Sequence, residues 1–220
     1  RDPNDLSKGS VEITRHGYDV SPDDPKHGYD DIALQINNNA MNGFVFDSLK
    51  YQMNETNPVS MFDHHSAPII NTLATEFAVF DKWFCSIPTS TDPNRAFAMS
   101  GTSQGVITNF NGTLWTQQSY FDYLQKHNRT VAGYFQDDIW VFGYFADMRQ
   151  PSIASTIYDL DKHFYNDLKN GKLADFTYLQ PRMSALGPDR LPTWQHPDAS
   201  IREGEKLIKS VYEAIRNSPK

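Results

Sequence analysis

The sequence predicts an α/β domain with a mostly parallel sheet flanked by helices. Short apolar, β-prone runs alternate with stretches of helical periodicity, the pattern that βαβ connections produce. The length of 220 residues, with 39% hydrophobic and 13% aromatic side chains, is enough for one packed core. No repeat and no low-complexity tract divides the chain, so residues 1–220 read as part or all of one domain.

Residues 1–29 are polar and turn-rich, with Pro3, Pro22, Pro25 and Gly28, and are expected to be loop. Tyr29 to Asn39 and Phe44 to Gln52 are expected helices. Ser66-Ala67-Pro68 predicts a helix start with Ser66 as N-cap, followed by Ile69, Ile70, Leu73, Ala74 and Phe77 at helical spacing. Ala78-Val79-Phe80 with Trp83-Phe84 reads as a buried strand, and Cys85 beside it as a small buried hydrophobe. Asp92-Pro93 opens the next helix. Gln118 to His127 is expected to be helical and Val131 to Phe135 a strand. Thr156 to Asn170 reads as an amphipathic helix closed by Gly171, and Phe176 to Leu179 as a further strand. The last helix carries a capping box, Ser200 with Glu203, and a stripe of Leu207, Ile208, Val211, Tyr212 and Ile215. A helix in such a fold leads into a strand, and none follows before Lys220, so the C-terminal boundary is expected to be artificial.

A formal net charge of -7 argues against a nucleic-acid partner, which calls for a basic surface. With Cys85 alone, no internal disulfide and no C-x-x-C metal site can form. No stretch of 18 apolar residues exists to span a membrane. Three sequons, at Asn54, Asn111 and Asn128, permit glycosylation.

Pro88-Thr89-Ser90-Thr91-Asp92-Pro93-Asn94-Arg95 carries the most chemistry per residue. A hydroxyl where such a helix starts meets unpaired N–H groups and the positive end of the helix dipole, which favour an alkoxide and hold phosphate. Thr91 could equally be an ordinary N-cap, and Arg95 either a phosphate ligand or a scaffold ion-pair partner. His27, His196 and the adjacent pair His64-His65 are the histidines of interest, the pair having the look of a metal clip although sequence neighbours rarely point the same way. Zincin, nucleophile-elbow and P-loop patterns are absent.

Several strings together resemble one family. They are Asp24-Pro25-Lys26-His27, Met41-Asn42-Gly43-Phe44-Val45, Phe77 to Phe84, Thr91-Asp92-Pro93-Asn94-Arg95, Gln180-Pro181-Arg182, His196-Pro197 and Val211-Tyr212-Glu213-Ala214. The chain is similar along nearly its whole length to the phosphoesterases that include bacterial and plant non-specific phospholipases C and an acid phosphatase. The resemblance implies an alkaline-phosphatase-like fold. It implies Thr91 as nucleophile and metal ligand, His27 and His196 contacting phosphoryl oxygens or protonating the leaving group, and Asn94 and Arg95 binding substrate. It also implies a divalent metal whose remaining ligands lie in two motifs outside residues 1–220, one on each side, so that this chain alone is expected to be inactive. A phospholipid or phosphomonoester substrate, peripheral membrane contact and secretion follow from the same resemblance. An acid phosphatase and a non-catalytic headgroup- or protein-binding relative are the alternatives. Gln104, Gln180 and His64-His65 depart from common family residues, which leaves the substrate pocket open. The aromatic run Trp140 to Phe145 could line the pocket mouth or belong to the core.

Overall fold

The computed structural model describes residues 1–109, 112, 114–136 and 143–219. Helices α1 (Tyr29–Ile36), α2 (Phe44–Lys50), α3 (Pro68–Glu76) and α4 (Thr91–Ser100) precede α5 (Tyr120–Lys126) and strand β1 (Val131–Phe135). The short helix α6 (Pro151–Ala154) and β2 (Ile157–Asp159) follow. A π-helical turn at Leu160–Phe164 runs into α7 (Tyr165–Lys169), then β3 (Phe176–Gln180), and α8 (Ile201–Arg216) closes the order.

Among the described residues the strands form one parallel sheet in the order β2-β1-β3. Gly133 sits opposite Ile157 and Phe135 opposite Asp159, while Val131 faces Phe176 and Phe135 faces Gln180. All five residues of β1 are buried, as a central parallel strand covered on both faces requires. One face packs Val131 and Phe135 with Phe121, Trp115, Phe145 and Ile153. The other packs Ala132 and Tyr134 with Leu160, Phe164 and Leu168, and Leu207, Val211 and Ala214 of α8 lie over it. The predicted α/β class with a parallel sheet and flanking helices is the observed one.

Five expectations change. Ala78 to Phe84 is not a buried strand: Val79, Phe80, Trp83 and Phe84 are 65–84% exposed, and Cys85 is exposed with them. Apolar patterning signals a wish for cover, and no described strand lies beside this segment to give it. The expected helix from Thr156 starts instead as strand β2, because Ile157–Asp159 pairs with β1 before the chain turns helical. Ser66 is not the N-cap of α3. Ala67 holds that position, and the Ser66 hydroxyl donates to Asp63 at 3.0 Å. The carboxylate of Glu205, buried in α8, takes the N–H groups of Ile69 and Ile70 in its place.

The capping box at α8 does not form either. Ser200 makes no side-chain cap and Glu203 pairs with Lys206. Asp19, 181 residues away, takes the Ser200 hydroxyl at 3.0 Å and the Arg202 N–H at 3.2 Å on its carboxylate. Its carbonyl accepts from Ile201 N at 2.8 Å. No described helix is long and apolar enough to cross a membrane. Of the aromatic run, residues 140–142 lie outside the described residues; Phe145 is buried in the core, with Tyr144 packed on it. The sequon residues Asn111 and Thr113 also lie outside them.

Candidate active site

Thr91 is the first residue of α4 and is exposed; Ser90, not Thr91, occupies the N-cap with extended backbone. Thr91 is therefore not the cap, and it stands exposed where the helix starts. The helix below is firmly seated: Asp92, Pro93 and Ala96 are buried, and Asp92 N donates to Asn109 Oδ1 at 3.0 Å.

The loop before Thr91 is shaped by Asn94. Its Oδ1 accepts from Ser86 N at 3.0 Å and Ile87 N at 3.2 Å. Its Nδ2 donates to the carbonyls of Ile87, Thr89 and Ser90 at 2.9, 3.1 and 3.0 Å. In this structure the amide of Asn94, expected to bind substrate, makes these five bonds to the loop that leads to Thr91. Thr89 ties the same loop to Ile107 O at 2.6 Å.

Arg95 lies one turn into α4 and reaches the C-terminal end of β3. Its Nη1 donates to Gln180 Oε1 at 2.8 Å and to the Tyr178 hydroxyl at 2.9 Å. These scaffold contacts go to a neutral amide and a phenol rather than to a carboxylate. Burial pushes the Tyr178 phenol above its ordinary value, opposed by the adjacent guanidinium, so Tyr178 faces Arg95 as a neutral acceptor.

His27 and His196 come together from opposite ends of the sequence. Their rings stand edge to face with centroids 6.2 Å apart. The Ser90 hydroxyl lies 3.4 Å from the His27 carbonyl, which brings this pair to the start of α4. His27 Nδ1 is 2.8 Å from Pro25 O and His196 Nδ1 is 3.0 Å from Pro197 O. A carbonyl only accepts, so the Nδ1 of each ring is the donor in these contacts. Trp194 stacks on His196 at 4.4 Å.

Second contacts fix both loops. Gln35 of α1 donates to Lys26 O and to Asp47, each at 2.8 Å, and holds the chain just before His27. Gln136, at the end of β1, accepts from Arg182 N and the Thr193 hydroxyl and so anchors the approach to Trp194 and His196. A Cβ on Gly204 would lie 2.1 Å from Gln195 Cγ, so α8 abuts the His196 loop closely enough that any larger residue there would have to displace the Gln195 side chain. Sequence reading passed over Gln35, Gln136 and Trp194, since nothing local marks a glutamine that meets a carbonyl or carboxylate far along the chain. His64 and His65 are exposed in a turn held by Asp63. Among the described residues, no group of three His, Cys, Asp or Glu side chains is arranged to hold a metal ion.

A hydroxyl-bearing helix start, two imidazoles and the C-terminal end of β3 are thus gathered in one part of the fold. The chain belongs to the phosphoesterase family, whose pattern it matches over residues 3–220. It is similar to three proteins of Arabidopsis thaliana. Non-specific phospholipase C6 is 34% identical over 91% of this chain and 40% of its own length. Non-specific phospholipase C3 is 29% identical over 98% and 44%, and non-specific phospholipase C1 is 32% identical over 89% and 38%. The chain thus spans about two fifths of the length of these relatives.

Proposed function

We propose that the protein carrying this chain is a phosphoric-ester hydrolase of phospholipase C type, with Thr91 as nucleophile. The observation that carries the reading is the exposed Thr91 at the first position of a ten-residue helix whose start touches the His27 loop. The names of the relatives support phospholipid as substrate class.

The Thr91 oxygen bonds to phosphorus as the bond from phosphorus to the glycerol oxygen breaks, and that oxygen keeps the electron pair and takes a proton from an imidazole. The proton of Thr91 passes to solvent. Water then attacks the phosphothreonine, the Thr91 oxygen leaves and regains a proton, and the phosphorylated headgroup is released. His27 and His196 supply Nε2 atoms beside the reaction, and Asn94 and Arg95 hold the loop and helix that aim Thr91. A divalent cation would supply charge stabilisation with the Thr91 oxygen as one ligand. The described residues offer no cluster for the rest of such a site. Phospholipid chemistry and the three sequons support peripheral membrane contact and a location outside the cell.

The test is Thr91→Ala in the full-length protein, assayed by the release of diacylglycerol from phosphatidylcholine. Turnover falls by about a thousandfold or more with the fold intact. Retained turnover overturns the role of Thr91. Release of phosphate from small monoesters, without diacylglycerol, overturns the phospholipase reading.

A further inference from the structure

Gln180 ends β3 and is fully buried. Its Oε1 and the Tyr178 hydroxyl both accept from Arg95 Nη1, and both are neutral. Among the described residues no carboxylate pairs with Arg95. Arg182, two residues past Gln180, does have one, with Asp161 at 3.3 Å. Arg95 is half-buried, so its charge is screened less than it would be in water. Thr91 and Arg95 stand four residues apart on α4, which puts them on one face of the helix a single turn apart. The guanidinium therefore adds its charge to the positive end of the helix dipole at Thr91. A glutamate in place of Gln180 would accept the same bond and cancel that charge.

We propose that Gln180 is a specificity-determining residue. By holding Arg95 with a neutral amide it leaves a positive charge beneath Thr91, and the site thereby favours a phosphoryl group with two negative charges over the singly charged group of a phosphodiester. The ligand class is a phosphomonoester or inorganic phosphate. This assignment rests on the phosphoryl-transfer reading above and deepens it. The phosphorylated headgroup that phospholipase C chemistry releases is itself a dianion, so Gln180 also sets how firmly product is held.

The experiment uses the full-length protein at mildly alkaline pH, where a phosphomonoester carries both charges. Calorimetry reads the affinity for inorganic phosphate. Turnover is compared on 4-nitrophenyl phosphate and on the 4-nitrophenyl ester of phosphocholine. Gln180→Glu weakens phosphate binding about tenfold or more and lowers kcat/KM on the monoester about tenfold more than on the diester. Gln180→Met has similar size and no charge, and it stays within about threefold of wild type on both measures. Arg95→Gln removes the charge from the other side, weakens phosphate by a factor like that of Gln180→Glu, and decides the matter should the glutamate variant fail to fold. Equal losses in Gln180→Glu and Gln180→Met would show that the residue is merely structural and overturn the proposal. Phosphate affinity left unmoved by Gln180→Glu, or by Arg95→Gln, overturns it as well. Failure of the underlying reading is seen separately, as turnover retained by Thr91→Ala, while phosphate binding reads the charge without any turnover.

Discussion

Asn94 pairs with the backbone of Ile87 in both directions, accepting its N–H at 3.2 Å and donating to its carbonyl at 2.9 Å. One side chain thereby substitutes for a strand partner at the loop that leads to Thr91. Asn94→Asp keeps the accepting half and sets a negative oxygen against the carbonyls of Ile87, Thr89 and Ser90. Each lost bond is worth ~1 kcal/mol and they are not additive, so a loss of about 2–4 kcal/mol is expected. Urea denaturation measures it, and turnover falls at least tenfold because the loop no longer aims Thr91. Asn94→Asp at wild-type stability and rate would show that the clasp is idle.

Gly43 presses against the carbonyl of Leu34: a Cβ there would sit 1.8 Å from the oxygen. Backbone, not a flexible side chain, is the obstacle, so α1 and α2 must separate in Gly43→Ala. Overpacking costs about 1–3 kcal/mol, and a clash with main chain belongs at the upper end. Thermal denaturation should show a lowered Tm, together with weakened activity through the Gln35 contact to Lys26. An unchanged Tm contradicts the packing described.

Glu205 caps α3 from a buried position on α8. Glu205→Ala strands two N–H groups at a helix start and should lose about 2–4 kcal/mol, since bonds to a charged acceptor are worth ~1.5–3 kcal/mol each. Glu205→Gln retains an acceptor and loses less. Equal stability of both variants and the wild type would rule out the cap as a fastening of α3 to α8.

Asp47 is 1% exposed, and burial raises its carboxyl above the ordinary 3.8, with the Gln35 bond opposing. A raised carboxyl contributes stability that is fully present below 3.8 and is lost as pH rises through the folded-state value. Asp47→Asn removes this dependence and can still accept from Gln35. Its stability relative to wild type should therefore grow as pH rises from below 3.8 through the raised value and then level off. Denaturation midpoints across that range check the sign. A relative stability that declines instead would mean that the ionised form is the favoured one.

Much of the architecture was legible where residues answer to their neighbours. Val131 to Phe135 is a short β-prone run, and it is the buried central strand. The stripe of α8 puts Leu207 and Val211 on the core. Reading failed where the deciding partner is remote or lacking. Ser200 and Glu203 have the spelling of a capping box, but Asp19 outcompetes them from the other end of the chain. Ile157 to Asp159 fits a helical pattern until β1 offers its edge. Phe77 to Phe84 has the apolarity of a core strand and no described neighbour to make it one. At the candidate site, His27, Thr91 and His196 were singled out by residue type and motif, and the fold brings the two histidines together. The bonds of Asn94 to the loop were not, because the side chain that folds back on its own loop and the one that reaches a ligand have the same letter.

The fastening of α8 by Asp19 also sets an order of assembly. A contact between residues 19 and 200 closes only after nearly all of this chain exists. On a ribosome, the start of α4 with its threonine is made more than a hundred residues before the segment that brings His196 to it. Thr91 and the second imidazole therefore meet only when the segment carrying α8 has emerged and docked.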